Sequence, residues 1–221
     1  CSQSRGLGDV YKRQVLGGGV VGSSAIRVAL GMGADVTVLD RSVSRLGELE
    51  ELYRGQLRTV YSTAEALEMH THEADLIIGA VLIPGATAPK LVTAEMLADL
   101  KPGTVMVDVA IDQGGCFETS RPTTHADPTY EVDGVVHYCV ANMPGTVART
   151  ATMALTNATL PYIIRLASNE VGSLLLEDKH FGAGLNIVHG QLTHRAVAEA
   201  LGQMWTEPDQ ILTASLHLKS A

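Results

Sequence analysis

Three glycines with the spacing G-x-G-x-x-G have the chemistry needed to bind a pyrophosphate. Gly17, Gly19 and Gly22 follow two apolar residues and precede an apolar helical stretch at about residues 20–30. The first glycine permits a sharp bend, the second lets a pyrophosphate approach the backbone, and the third lets the helix pack against the strand. The helix N-terminus directs free N–H groups and its positive dipole end at the phosphates. The spacing therefore predicts a phosphate-binding turn between a strand and a helix.

A carboxylate stands where a dinucleotide site of this kind needs one. Asp40 ends a predicted second strand, residues 35–39, about 20 residues after the glycines. A carboxylate at this place accepts hydrogen bonds from the hydroxyls of an adenosine ribose. Because the same charge repels a 2′-phosphate, the pattern favours NAD over NADP, although Arg41 follows directly.

A second carboxylate, Asp112, is the candidate for acid–base chemistry. It follows a predicted fifth strand, residues 104–109, and precedes Gln113-Gly-Gly. Ligands of open parallel sheets bind beyond the C-terminal ends of the strands, so we expect Asp112 near the nicotinamide ring and the substrate. A carboxylate there exchanges a proton with the substrate. The alternative is a turn-forming aspartate that binds its own backbone, which is the role we expect for Asp108.

The elements that must position these residues alternate as strand and helix, which predicts an α/β fold: a Rossmann-type, doubly wound parallel sheet. The predicted strands lie near residues 15–16, 35–39, 57–61, 74–81, 104–109 and 135–140. The predicted helices lie near residues 20–30, 43–53 and 94–100, with a short one capped by Thr63, and residues 84–89 form a loop.

The pattern changes after Gly145. A helical stretch at residues 147–167 contains Pro161, which should kink or split it, and shorter helices are predicted at residues 170–177 and 193–201. Because helices cannot extend the sheet, we assign this part to a second, substrate domain. The expected division is a leader at residues 1–14, an NAD-binding domain at 15–145, the helical part at 146–205 and a tail at 206–221.

The leader is predicted because the residues before the glycines are unusual. A first strand that is buried on both faces should be a continuous apolar run. Lys12, Arg13 and Gln14 stand where apolar residues are expected, and only Val15 and Leu16 fit. We therefore expect residues 1–14 to be foreign to the fold, or disordered.

Composition excludes several classes of function. The chain has 221 residues, of which 46% are hydrophobic and 18% charged, as in a globular protein with a core. A formal charge of −8 argues against nucleic acid or an anionic membrane as a partner. The cysteines, Cys1, Cys116 and Cys139, have no framework or metal spacing, so we expect a cytoplasmic protein.

Other polar residues have simpler interpretations. The histidines are scattered without metal-ligand spacing, so no metal site is expected and we interpret them as structural or surface residues: His125, His137, His189 and His194. Cys116 has no basic partner in the sequence, which favours a packed thiol over a reactive one. Arg45 and Arg121 are candidate anion contacts, with ordinary solvated charge as the alternative.

Several long strings resemble bacterial L-alanine dehydrogenase, among them LGGGVVG, DLIIGAVLIPGATAPKLV, VMVDVAIDQGGCFETSRPTTHADPTY and GVVHYCVANMPGTVARTATMALTNATLPY. The resemblance covers about residues 15–202. It implies NAD-dependent conversion of L-alanine to pyruvate and ammonia by a homohexamer. It also implies an N-terminal substrate-domain segment that is absent here and that carries the residues holding the substrate carboxylate.

The resemblance carries over Asp112 as an active-site acid/base. It also implies cofactor contacts at Val20, Val21, Asp40, Arg45, Ser62, Val81, Leu82, Val109, Ala110, Ile111, Asp112, Arg121, Val140, Ala141, Asn142 and Met143.

Two alternatives remain open. The NAD-binding subunit of proton-translocating transhydrogenase is similar, but it usually lacks the aspartate of the string Ile111-Asp-Gln-Gly-Gly115. A non-catalytic, NAD-binding or oligomer-forming module is the alternative outside the enzymes. Alanine-dependent reduction of NAD separates a dehydrogenase from such a module.

Overall fold

The computed structural model describes residues 11–83 and 88–219. These residues form two compact units, residues 11–83 with 88–143 and residues 144–219. Most of the expected leader and residues 84–87 of the expected loop lie outside the described residues.

The first unit is a Rossmann-type sheet covered by helices, as predicted. Its described elements are β1 Lys12–Leu16, α1 Val20–Gly31, β2 Asp35–Asp40, α2 Val43–Tyr53, β3 Leu57–Tyr61, α3 Ala64–His72, β4 Leu76–Gly79, α4 Ala94–Leu97, β5 Val105–Asp108, β6 Thr129–Val132 and β7 Val135–Tyr138. The strand order is β3-β2-β1-β4-β5-β7-β6, and every pair is parallel except β6 with β7.

Two hydrophobic clusters lie on opposite faces of this sheet. Neighbouring residues of β1 point to opposite faces, so Val15 belongs to one cluster and Leu16 to the other. The Val15 cluster includes Ile26 of α1 and Leu49 of α2, while the Leu16 cluster includes residues of α3 and α4. Helices therefore bury both faces, which is the doubly wound arrangement.

The first strand begins earlier than predicted. β1 starts at Lys12, because it pairs with β2 on one side and with β4 on the other. The backbone of residues 12–14 is thus fixed by two neighbours despite the polar side chains. Gln14 is 3% exposed, and its buried Oε1 has no hydrogen-bond partner among the described residues. The prediction that the strand begins at Val15 was wrong by three residues, and residues 12–14 are not disordered.

Other differences concern the ends of elements. β4, β5, β7 and α4 are all shorter than predicted, and β6 was missed. β6 is an edge strand with no buried residue, so its sequence carries little hydrophobic signal. Thr63 and Thr93 cap α3 and α4 as predicted, accepting hydrogen bonds from Ala66 and Met96.

The second unit is mainly helical. Its described elements are α5 Ala148–Ser168, α6 Val171–Glu177, α7 Lys179–Gly182, β8 Ile187–Val188, β9 Gln191–Leu192, α8 Arg195–Leu201 and α9 Pro208–Lys219. Pro161 does not split α5, and the prediction of an all-helical part missed the short β8–β9 hairpin. The expected tail contains α9. Among the described helices, none has the length and apolar character to cross a membrane.

Candidate functional site

The strands place four loops at one edge of the sheet. Leu16 of β1 is in register with Leu39 of β2 and with Gly79 of β4, and Gly79 is in register with Asp108 of β5. The C-terminal ends of these strands therefore lie side by side. The strand order reverses between β1 and β4, so the loops lie on both sides of this reversal. Open α/β sheets bind ligands at this switch point.

A cleft of about 530 Å³ lies at the switch point. It is lined by Gly17, Gly19, Val20, Val21, Leu39, Asp40, Arg41, Ser62, Ala80, Val81, Leu82, Ile83, Pro89 and Leu91. Eight of these residues are among the expected cofactor contacts: Gly17, Gly19, Val20, Val21, Asp40, Ser62, Val81 and Leu82. Sequence analysis missed Leu39, Arg41, Pro89 and Leu91, and apart from Arg41 beside the acid these four carry no motif that marks them.

The three glycines have different reasons for lacking a side chain. Gly17 has φ +97°, and a Cβ there would lie 2.9 Å from the carbonyl oxygen of Ala80. At Gly22 a Cβ would lie 1.9 Å from the carbonyl oxygen of Gly17, because α1 passes close to the turn. Gly19 is different, since a Cβ there would meet no atom within 4 Å. Its missing side chain leaves open space at the cleft, which is the cradle that a pyrophosphate requires.

The N-terminus of α1 is left available for a ligand. The helices α2, α3 and α4 each begin at a side chain that accepts a backbone hydrogen bond, whereas α1 begins at Gly19 with no side-chain cap. The first turn of α1 contains no acidic residue. Its unpaired N–H groups and positive dipole end suit an anion such as a phosphate.

Asp40 and Arg45 hold the glycine turn between them. The Asp40 carboxylate accepts hydrogen bonds from the backbone N–H groups of Gly18 at 2.7 Å and Ser42 at 2.8 Å. Arg45 Nε donates to the carbonyl oxygen of Gly18 at 2.7 Å, and its other nitrogens bind Ser23 and Glu48. Arg45 therefore stabilises the glycine turn, but it is not among the residues that line the cleft.

Asp112 lies at the same edge, in the loop after β5. It sits in a one-turn 3₁₀ helix at Ile111–Gln113, and its side chain is exposed. In the described part of the chain no group donates a hydrogen bond to its carboxylate. Between the ends of β2 and β5 lie three strand spacings, or ~14 Å. A ligand touching both Asp40 and the loop after β5 must be elongated.

Asp108 has the structural role that was predicted for it. It is fully buried, and its carboxylate accepts hydrogen bonds from the backbone N–H groups of Ala110, Cys116 and Phe117 and from the hydroxyl of Ser120. The expected contacts Val109, Ala110 and Ile111 follow it directly. Ala110 and Ile111 are buried, so their side chains are not open to solvent.

The remaining expected contacts lie near the other strands of this edge. The Arg121 guanidinium packs 4.0 Å from the centre of the Tyr130 ring, and the Arg121 backbone N–H donates to the Tyr130 hydroxyl. Val140, Ala141, Asn142 and Met143 follow β7, with Val140 buried and Asn142 at φ +53°. Neither group lines the cleft.

The histidines and cysteines of this unit form no metal site. Among the described residues no three His, Cys, Asp or Glu side chains are grouped to hold a metal ion. His125 contacts the carbonyl oxygen of Asn142 at 3.1 Å, and His137 is fully buried. Cys116 is also fully buried, and burial raises its pKa to about 11. This thiol is packed in the core, as predicted.

Comparison with known proteins identifies the relatives of this chain. Residues 7–195 match the family described as alanine dehydrogenase/PNT, C-terminal domain, whose members are NAD-dependent. The chain is 64% identical over 198 residues to alanine dehydrogenase of Halomonas elongata, covering 90% of this chain and 53% of that protein. It therefore spans about half the length of this relative.

Two solved structures with different names match this chain to different degrees. A structure named L-alanine dehydrogenase matches with a TM-score of 0.77 and 48% identity, over 87% of this chain and 53% of its own. Transhydrogenase from Sinorhizobium meliloti matches with a TM-score of 0.67 and 28% identity, over 84% of this chain and 50% of its own. The alanine dehydrogenase is the more similar of the two in both sequence and structure.

Proposed function

We propose, from the premise that this chain belongs to the alanine dehydrogenase/PNT C-terminal domain family, that it is the NAD-binding part of an alanine dehydrogenase. The proposed reaction is the reversible, NAD-dependent oxidative deamination of L-alanine to pyruvate and ammonia. The identity of 64% to an alanine dehydrogenase supports this choice over a transhydrogenase, which is more distant.

One observation carries the NAD-binding part of the proposal. The cleft at the switch point combines the open space at Gly19, the uncapped N-terminus of α1 and the carboxylate of Asp40. These features suit a pyrophosphate and the adjoining ribose. The cleft is lined by apolar side chains such as Val20, Val81 and Leu82, which suit the faces of an adenine ring and a ribose.

The proposed division of labour assigns each role to a named group. Bound NAD supplies the hydride acceptor. The α1 N-terminus holds the phosphates, and Asp40 orients the ribose hydroxyls. Asp112 is the acid–base residue, which takes up and releases protons on the substrate nitrogen and oxygen while the C–N bond is hydrolysed. Its carboxylate is exposed, and none of the described residues donates a hydrogen bond to it, which supports this role.

The NAD site is tested by titrating this chain with NADH in a calorimeter. Gly19→Asp places a side chain and a negative charge in the open space, so NADH affinity should fall at least about tenfold. The matched control is Gly47→Asp, at an exposed glycine of α2 whose added Cβ would also meet no atom within 4 Å. Equal NADH affinity for both variants would contradict the assignment of the site.

Catalysis is tested in a joined protein. The part of the Halomonas elongata enzyme that this chain does not match is placed before residue 12 of this chain, where β1 begins, and alanine-dependent reduction of NAD is measured. We expect turnover, with the Halomonas elongata enzyme itself as the positive control. NADH binding by the joined protein without alanine oxidation would instead favour a non-catalytic NAD-binding module.

The proposal also covers the location of the protein and its oligomeric state. We also propose a cytoplasmic protein, because the cysteine pattern is not that of a disulfide framework, and the buried Cys116 and Cys139 are free thiols. We also expect a homo-oligomer, a hexamer by resemblance to the family. The exposed apolar residues of α5 support association with further protein surface.

A further inference from the structure

The loop that carries Asp112 has an unusual backbone. We call residues 110–117 the Asp112 loop. Gly114 and Gly115 follow one another with φ +89° and +78°, so the chain turns back sharply after the 3₁₀ helix. A Cβ at Gly115 would lie 2.6 Å from Oδ2 of Asp108. Such a turn exposes several carbonyl groups that cannot bind each other and need a donor from elsewhere.

Lys90 supplies that donor. Its ammonium nitrogen donates hydrogen bonds to the carbonyl oxygens of Gly114, of Gly115 at 3.0 Å and of Phe117 at 3.1 Å. An ammonium group has three N–H donors and no acceptor, so these three bonds use its full capacity.

The backbone around Lys90 runs along the same loop. The N–H groups of Ala88 and Leu91 donate to the carbonyl oxygens of Gln113 and Cys116, at 3.0 and 2.7 Å. Val92 forms an isolated β-bridge with Phe117. The base of the Lys90 side chain is therefore fixed relative to the loop, and the ammonium reaches carbonyls at a set distance.

Lys90 and Asp108 hold the loop through opposite charges. The Asp108 carboxylate accepts the N–H groups of Ala110, Cys116 and Phe117, while the Lys90 ammonium donates to the carbonyls of the same segment. The Asp108 carboxylate holds the backbone N–H groups in place, and the Lys90 ammonium holds the backbone carbonyl groups in place. Asp112 lies between the anchored residues, although neither charged group touches it.

We infer that Lys90 is a positioning residue, which holds the Asp112 loop in the conformation that brings the Asp112 carboxylate to the substrate. The inference rests on the proposed function of Asp112 as the acid–base residue. It separates the two functions of the loop, because Asp112 exchanges protons and Lys90 sets where this happens. A displacement of about 1 Å at a reacting group can reduce the rate about a hundredfold.

The first experiment measures the loop without any catalysis. In this chain, Lys90→Met removes the three donors while keeping an unbranched side chain of similar length. We expect the amides of residues 114–117 to exchange with deuterium at least about tenfold faster. The control is Lys101→Met, which removes another exposed lysine bonded to a backbone carbonyl, that of Glu73, at the opposite edge of the sheet. Unchanged protection in Lys90→Met would overturn the inference.

The second experiment measures the consequence for catalysis in the joined protein. Lys90→Met should lower kcat for alanine by about 10- to 100-fold, with KM for alanine and Kd for NADH within about threefold of the unmodified values. Lys101→Met should change none of them. A parallel loss of NADH affinity would make Lys90 a cofactor contact and overturn the inference. An inactive unmodified joined protein would instead refute the proposed function, while the exchange experiment still decides whether Lys90 holds the loop.

Chemical rescue separates the ammonium from general damage. Lys90→Cys alkylated with 2-bromoethylamine regains an ammonium on a side chain of lysine length. The restored ammonium should raise kcat. Because both forms come from one preparation, this rise cannot reflect a difference in folding. The kcat of the unmodified protein treated in the same way should not change. No rise would overturn the role of the ammonium. If Lys90→Met does not fold, Lys90→Arg takes its place. It keeps the charge, but its planar fork cannot direct three N–H groups from one nitrogen, so kcat should again fall.

Discussion

The carboxylate of Asp40 accepts a hydrogen bond from the backbone N–H of Gly18 at 2.7 Å. The acid at the end of β2 is thereby joined to the glycine turn after β1, in the strand next to it. Asp40 has two roles at this edge, since its carboxylate both shapes the turn and faces the cleft that would hold a ribose. A carboxylate has about four lone-pair positions, so the two backbone N–H groups leave capacity for ribose hydroxyls.

Replacing Asp40 should weaken the cofactor site more than the ribose contact alone implies. Hydrogen bonds to a charged group contribute about 1.5–3 kcal/mol, so Asp40→Ala should weaken NADH binding by about 10- to 100-fold or more. The unmodified chain should prefer NADH to NADPH, because the carboxylate repels a 2′-phosphate. Calorimetric titration measures both, with Asp35→Ala at the other end of β2 as the control. Equal affinities for NADH and NADPH would contradict the role of Asp40.

Removing the proton-exchanging group should stop turnover without removing the cofactor. In the joined protein, Asp112→Asn keeps the size of the side chain but cannot exchange a proton near neutral pH. General acid–base groups contribute about 10²–10⁴-fold, so kcat for alanine should fall by that order, with NADH affinity nearly unchanged. Asp127→Asn, at an exposed aspartate of another loop, is the control. Near-normal alanine oxidation by Asp112→Asn would leave Asp112 as a turn residue only.

The buried amide of Gln14 should lower the free energy of unfolding of the chain. Its Oε1 is buried within β1 and finds no hydrogen-bond partner in the part of the chain that the structure describes, and an unsatisfied buried polar group costs about 1–3 kcal/mol. Gln14→Val has a similar volume and suits a central strand, so the free energy of unfolding in urea should rise by about that amount. Gln56→Val, at an exposed position before β3, should leave it within about 0.5 kcal/mol. A loss of stability in Gln14→Val would show that the amide has a favourable contact.

His137 should make the first unit less stable in mild acid. Burial lowers the pKa of His137 below its usual value, and both ring nitrogens are engaged, with Thr119 Oγ1 at 2.8 Å and the carbonyl oxygen of Val135 at 3.1 Å. The unfolded chain binds a proton near pH 6.5 that the folded His137 does not bind. The free energy of unfolding should therefore decrease as the pH falls below about 6.5, and level off below the lowered pKa.

Urea unfolding at pH 7.5 and 5.5 measures this dependence. His137→Gln should reduce the difference between the two pH values, while His72→Gln, at an exposed histidine of α3, should leave it as it is. His70, whose pKa is also lowered by burial, contributes in the same direction and remains in both variants. An undiminished difference in His137→Gln would assign the pH dependence to other groups.

The apolar surface of α5 should make this chain associate. None of its residues is buried, and its exposed side chains include Met153, Leu155, Leu160, Tyr162, Ile163 and Ile164. Large exposed apolar patches mark interaction surfaces, so sedimentation should show species larger than a monomer, or a hydrophobic dye should bind. The double variant Ile163→Asp with Ile164→Asp should reduce the self-association or the dye binding. The control Val28→Asp, on α1, should reduce neither. A clean monomer that binds no dye would contradict this prediction.

The sequence by itself determined the architecture of the first unit and the place of the glycine turn. The buried strand at residues 76–79 lies in a continuous apolar run, and Gly17, Gly19 and Gly22 have the spacing of a dinucleotide-binding turn, with a strand before them and a helix after them. These signals are local, because hydrophobic runs and glycines act within a few residues of themselves. The same is true of the caps at Thr63 and Thr93, which were predicted correctly.

Only the tertiary structure decided the features that depend on residues distant in sequence. β1 includes Lys12 because β2 and β4 provide hydrogen-bond partners on both sides, which no local pattern reveals. β6 forms at an edge by pairing with β7, and its own residues are not buried. The bonds from Lys90 to carbonyls 24 to 27 residues away became visible only in the folded chain. The physical reason is that hydrogen bonds between distant segments depend on where the whole chain places them.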